Sequence, residues 1–158
     1  MKKKPVVTTV ILILALSLMA ASLNRSKYVF IKAGKNATVS NGRAGISFTN
    51  SNYSGTVKIA RMESSNPPGE TPVHFVESFL DVRFTTSDGE RITHVLGPVY
   101  VYFQARRSQV RQFNEGGLSI YYFDTWKSEW KECYTYLVDS NRLACRIRIF
   151  GLYGLAEK

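Results

Sequence analysis

The sequence predicts an all-β protein, an antiparallel β-sandwich preceded by a hydrophobic N-terminal leader helix. Three observations carry this. Short segments with alternating apolar and polar residues recur about every ten positions, the spacing of sandwich or barrel strands. Turn-forming clusters such as Asn41-Gly42 and Ser87-Asp88-Gly89 separate them. The chain holds nine Tyr and nine Phe, and it lacks the long Ala/Leu/Glu-rich stretches that helices favour.

The leader comes first. Lys2, Lys3 and Lys4 precede Val6 to Leu23, an uncharged apolar run of 18 residues. A basic patch followed by such a run is the pattern of a secretory signal peptide or an uncleaved anchor. Eighteen residues lie near the lower limit for crossing a bilayer. Ala20-Ala21-Ser22 offers small residues for cleavage before Leu23. The charge balance predicts a cytoplasmic N-terminus and an exported remainder. No Cys follows the run, which excludes a lipoprotein anchor. Residues 1–22 are therefore read as signal peptide or anchor, 23–26 as a linker and 27–158 as the sandwich.

Strands are expected at Tyr28–Lys32, Ala37–Ser40 and Gly45–Phe48. The next falls at Thr56–Met62, where Val57 and Ile59 face one way and Lys58 the other. Glu63 to Pro72 contains Ser-Ser-Asn-Pro-Pro-Gly-Glu-Thr-Pro and cannot be a central strand. It reads as a surface connection, with a binding loop as the alternative. Phe75-Val76 begins a strand, and in Leu80–Phe84 the residues Leu80, Val82 and Phe84 share a face opposite Asp81 and Arg83. Arg91–Leu96 is its return strand, and Gly97-Pro98 breaks it. Val99–Phe103 puts Tyr100 and Tyr102 on one side. Ala105–Asn114 is the one short helix expected outside the leader, ended by Gly116-Gly117. Leu118 to Leu155 is read as three successive strands and contains both Trp and both Cys.

In the last of these, Leu143, Cys145, Ile147 and Ile149 share a face, and Arg142, Arg146 and Arg148 share the other with Ala144. A turn around Asp139-Ser140-Asn141 would set Cys133 opposite, or within one residue of, Cys145. Export places an even cysteine count in an oxidising compartment, which predicts a cross-strand disulfide. The alternative is two buried thiols acting as small hydrophobes.

The formal charge is +9, of which the three leading lysines supply three, leaving 9 − 3 = +6 for the rest. Basic chains serve nucleic acid, anionic polymers or lipid headgroups, and also occur with charges merely solvated on strand faces. Two surfaces are candidates for binding. One is the arginine row of Arg142, Arg146 and Arg148, suited to an acidic polymer or anionic lipid; a solvated edge-protecting face is the plain reading. The other is aromatic: Tyr121, Trp126, Trp130 and Tyr134 could stack on sugar rings or on a partner protein, the plain reading being lids on the core. Asn24, Asn36 and Asn52 stand in glycosylation sequons, which carry meaning only in a glycosylating cell.

Enzyme chemistry finds little footing. The sequence holds no Gly-x-Ser-x-Gly elbow, His-Glu-x-x-His or phosphate-binding glycine loop. Glu70, Glu77, Asp81, Asp88 and Glu90 are scattered, and nothing selects a glycosidase pair among them. His74 and His94 have no partners at metal-ligand spacing. No metal, cofactor or catalytic residue is expected. Nucleic acid is not an expected partner, because no reader motif is present and the chain is read as exported.

The motifs Leu118-Ser-Ile-Tyr-Tyr, Trp130-x-x-Cys133-x-Thr135 and Ala144-x-Arg146-Ile147-x-Ile149-Phe150, with Gly97-Pro98-Val99 upstream, resemble the closing strands of bacterial surface β-sandwich modules of ZU/UPA type. The resemblance covers about a third of the chain. It implies an Ig-like or ZU-like sandwich with a structural or interaction role at the cell surface. Some members cleave themselves at a His-Phe-Ser site on the last strand; Ile149-Phe150-Gly151 lacks both the His and the Ser, so self-cleavage is not implied. The expectation is an exported, non-enzymatic module at the cell envelope. Its partner would be a surface protein or polysaccharide, with membrane contact through residues 6–23 if the leader is retained. The alternatives are a carbohydrate-binding accessory domain and an extracytoplasmic hydrolase.

Overall fold

The computed structural model of the chain describes residues 26–158; the expected leader helix and the expected cleavage site before Leu23 lie outside them. The larger sheet orders its strands as β1 (Lys27–Ile31), β4 (Gly55–Met62), β6 (Phe79–Thr86), β13 (Leu152–Glu157), β9 (Leu118–Asp124) and β10 (Glu129–Cys133). Two short strands flank it: β5 (His74–Phe75) pairs with β13, and β7 (Arg91–Ile92) with β6. The smaller sheet runs β11 (Thr135–Leu137), β12 (Arg142–Arg146), β8 (Val99–Gln104), β3 (Ala44–Phe48) and β2 (Ala37–Asn41). Every strand pairing is antiparallel.

Alternation decides which residues meet between the sheets. Val57, Ile59, Leu80, Val82 and Phe84 from the larger sheet pack with Ile46, Val101, Phe103, Leu143 and Cys145 from the smaller, all buried. Removing this apolar surface from water is the main force holding the layers together. Tyr153 is buried in the same core, where its hydroxyl donates to the Ile149 carbonyl at 2.5 Å; burial pushes the phenol far above its usual pKa.

The helix, α1 (Arg107–Asn114), carries the chain from β8 in one sheet to β9 in the other. Gln109 fixes its start: its Oε1 accepts from the Arg106 amide at 2.7 Å and its Nε2 donates to Glu77 at 3.3 Å. Gly116 closes its end at φ +80°, a conformation only glycine takes without strain.

The larger sheet carries a second apolar cluster on its outer face. Phe75, Phe79, Tyr121, Trp130 and Ala156 pack there, with Phe79 stacked on Trp130 at 5.1 Å between ring centroids. Gly154 leaves the room they need: a Cβ on it would lie 2.7 Å from the Phe75 ring. The Pro-rich connection closes over the cluster, and Trp130 Nε1 donates to the Pro68 carbonyl at 2.9 Å.

Two expectations are corrected. Leu118 to Leu155 is not three strands of one sheet; it supplies β9 to β12 and most of β13, divided between both sheets. Cys133 does not face Cys145 across a hairpin. The residue opposite Cys145 is Thr135, because the chain leaves the larger sheet at Cys133 and enters the smaller at Thr135. The disulfide between Cys133 and Cys145 is present, and it links the two sheets rather than two neighbouring strands.

Candidate functional site

The outward face of the smaller sheet gathers aromatic and cationic side chains by register. Tyr136 on β11 pairs with Ala144 on β12, Ala144 with Tyr102 on β8, and Tyr102 with Gly45 on β3. The next row holds Arg146, Tyr100 and Ser47, with Thr38 on β2 beyond them. Arg142 pairs with Gln104 on the far side of the first row. These residues lie on one surface because side chains two apart on a strand point the same way.

Glycine at position 45 sets the relief of this face. A Cβ there would stand 2.5 Å from the Tyr102 hydroxyl and would also meet the Val39 carbonyl. The Tyr102 ring occupies that space and is itself buried. The Arg142 guanidinium lies 5.1 Å over the Tyr102 ring, a cation–π arrangement. Asp139 Oδ2 approaches Arg142 Nε at 3.5 Å. Tyr100 and Tyr136 meet edge to face at 6.3 Å, and burial raises the Tyr136 phenol pKa. Arg146 and Arg148 are exposed, and among the described residues no acid forms an ion pair with either. Tyr134, where the chain passes between sheets, is 87% exposed.

A second exposed feature is the β9–β10 hairpin tip. Trp126 is 96% exposed there. The tip is braced beneath it. Asp124 Oδ1 accepts from the amides of Trp126 and Lys127 at 3.0 and 3.4 Å, and Oδ2 pairs with Lys131 at 2.5 Å. The hydrogen bond from Lys131, aided by these amides, holds the Asp124 carboxyl below its usual pKa.

The predicted surface residues therefore divide. Arg142, Arg146, Arg148, Trp126 and Tyr134 present side chains to solvent. Tyr121 and Trp130 do not, being 8% and 6% exposed in the cluster under the Pro-rich loop. Alternation correctly turns both outward from the sandwich interior, but it carries no sign that a loop will cover that side. Tyr100 and Tyr102 join the arginine face, a placement the sequence reading misses. Their two-residue spacing is the signal, and register with β12 completes it.

Other polar groups are engaged structurally. Glu77 meets Arg43 at 3.7 Å and Arg106 at 3.9 Å. Asp81 pairs with Arg83 at 2.9 Å on the outer face of the larger sheet. Buried Ser119 links Glu132 at 2.9 Å to Thr135 at 3.0 Å, and Thr135 Oγ1 accepts from the Ile120 amide at 2.8 Å. That hydroxyl chain ties the sheet-switching segment back to β9. His74 and His94 are exposed. Among the described residues no group of three or more His, Cys, Asp or Glu could hold a metal ion, and no helix is long and apolar enough to cross a membrane. No protein-family model matches the sequence, and no curated protein matches it.

Proposed function

We propose that the chain is an exported, non-enzymatic interaction module of the cell envelope, acting through the outer face of its smaller sheet. The observation that carries this reading is the shared face of Tyr100, Tyr102, Tyr136, Arg142 and Arg146. Half-buried Tyr100 and Tyr136 offer ring planes for stacking, and Arg142 and Arg146 offer guanidinium forks for carboxylates or hydroxyls, with buried Tyr102 supporting Arg142 from beneath. This is the chemistry of a surface protein or an acidic polysaccharide. The inter-sheet disulfide supports an oxidising compartment. Val6–Leu23 would direct export, as a cleaved signal or as a retained anchor. The ZU/UPA-like motifs fit the same role, in an Ig-like or ZU-like sandwich without self-cleavage.

A second reading, a carbohydrate-binding accessory domain, is favoured by Trp126, which holds a full indole face in solvent on a braced tip. Binding to intact host cells and to a panel of acidic and neutral glycans separates the two. Arg146→Glu with Tyr136→Ser should abolish binding if the sheet face is the site, and Trp126→Ala should abolish it if the tip is. Wild-type binding by both variants would overturn both.

A further inference from the structure

We infer that the β1 edge of the larger sheet rests on an anionic phospholipid bilayer, docking the sandwich against the membrane that holds its N-terminal segment. This rests on the proposed export and takes Val6–Leu23 as retained. Among the described residues β1 is an edge strand, paired with β4. Its outward face carries Tyr28 and Phe30, 62% and 56% exposed, two of the largest exposed apolar side chains described. Lys58 on β4 is opposite Tyr28 and lies 5.5 Å over its ring. Lys32 and Lys35 are exposed just beyond the same strand, whereas Lys27, on the opposite face of β1, donates to the Ser40 carbonyl at 3.1 Å. On β6, the next strand of that face, the one acid is Asp81, and it is paired with Arg83.

Aromatic rings flanked by lysines are the chemistry of the membrane–water interface, where rings sit at headgroup level and ammonium groups meet phosphates. The tether makes the fit quantitative. Only residues 24–26 separate Leu23 from Lys27. Four residue steps span at most about 14 Å, and a headgroup layer is roughly 5–8 Å thick. A retained apolar segment therefore holds β1 within reach of the headgroups, and its exposed face is the one suited to them. β10 forms the opposite edge of the same sheet. Five strand spacings, about 24 Å, separate the two edges, which leaves the Trp126 hairpin on the far side from the lipid.

The full chain, reconstituted into phosphatidylcholine vesicles with and without phosphatidylglycerol, tests this with lipids brominated near the headgroup. Phe30→Trp in a Trp126→Phe background reports the docking face; the wild type, with Trp126 in place, reports the distal edge. Buried Trp130 is common to both and supplies the same background. The indole introduced at position 30 should lose most of its emission to the bromolipid in anionic vesicles, and Trp126 should lose little. Lys58→Glu with Lys32→Glu should weaken the quenching at position 30, as should high salt. In the wild type, amides of residues 27–35 should exchange more slowly in vesicles than in detergent. Vesicle-bound chain with no quenching at position 30 and unchanged exchange would overturn the docking while leaving the anchor. Failure of the chain to sediment with vesicles would overturn the retained segment, and the docking with it.

Discussion

Cys133 and Cys145 lie 6.0 Å apart at their Cα atoms and tie the larger sheet to the smaller. Cys133 is paired in its own sheet with Ile120, and Cys145 in its own with Thr135 and Val101. The bond closes a short loop, of sequence separation 12, around the point where the chain changes sheets. Loop-closure entropy assigns such a crosslink roughly 3 kcal/mol. Denaturant unfolding of a Cys133→Ala/Cys145→Ala variant should show about that loss. A change within experimental error would mean that packing alone fixes the sheet switch.

The two tryptophans should respond oppositely. Trp130→Ala empties the centre of the outer cluster and leaves the Pro68 carbonyl without its donor; about 3–5 kcal/mol of stability should be lost. Trp126→Ala removes a side chain that is almost fully solvated, so stability should stay within about 0.5 kcal/mol. Chemical denaturation of both variants checks this, and comparable losses would contradict the burial assigned to each.

Gly45→Ala tests the relief of the arginine face. The new methyl group must displace Tyr102 and press on the Val39 carbonyl. A cost of about 1–3 kcal/mol is expected from this overpacking. If Tyr102 swings outward, Arg142 loses the ring beneath it. Thermal unfolding measures the first effect, and the Tyr102 ring resonances report the second.

The hairpin tip should be acid-sensitive. The folded Asp124 carboxyl sits below its ordinary pKa, through the Lys131 hydrogen bond first and the tip amides after it. A depressed carboxyl contributes stability that is present above its unfolded pKa and lost as pH falls through its folded pKa. The Trp126 and Lys127 amide resonances should therefore hold steady down to the ordinary aspartate range and shift only below it. Asp124→Asn should abolish that titration. A midpoint at or above about 3.9 would contradict the bracing.

Much of the fold was legible because its strands obey a two-residue period. Leu80, Val82 and Phe84 alternate with Asp81 and Arg83, and burial follows that pattern. Turns were legible where chemistry demands them, as at Gly42 with φ +64° and Gly89 with φ +85°. The sheet switch was not legible. Nothing in Cys133-Tyr134-Thr135 distinguishes a strand that continues from one that crosses to another layer; Thr135 reveals it only through its bonds back to β9. The cover over Trp130 was hidden for a related reason. Pattern identifies the side of the sheet a residue faces, whereas the Pro68 carbonyl that meets Trp130 comes from 62 positions away. The candidate site shows the same limit, since Arg142 and Tyr102 become neighbours only through strand register.

Strand β13 is not an edge strand. Residues 152–157 occupy the middle of the larger sheet, between β6 and β9. Every strand that β13 joins is synthesised before it, so the growing chain holds two unjoined halves of a sheet until those residues appear. Contacts this distant in sequence form slowly. A chain stopped before Leu152 would lack Tyr153 and Leu155 from the core and would expose the inner edges of β6 and β9. Its failure would be aggregation through unpaired strands rather than the loss of a peripheral tail.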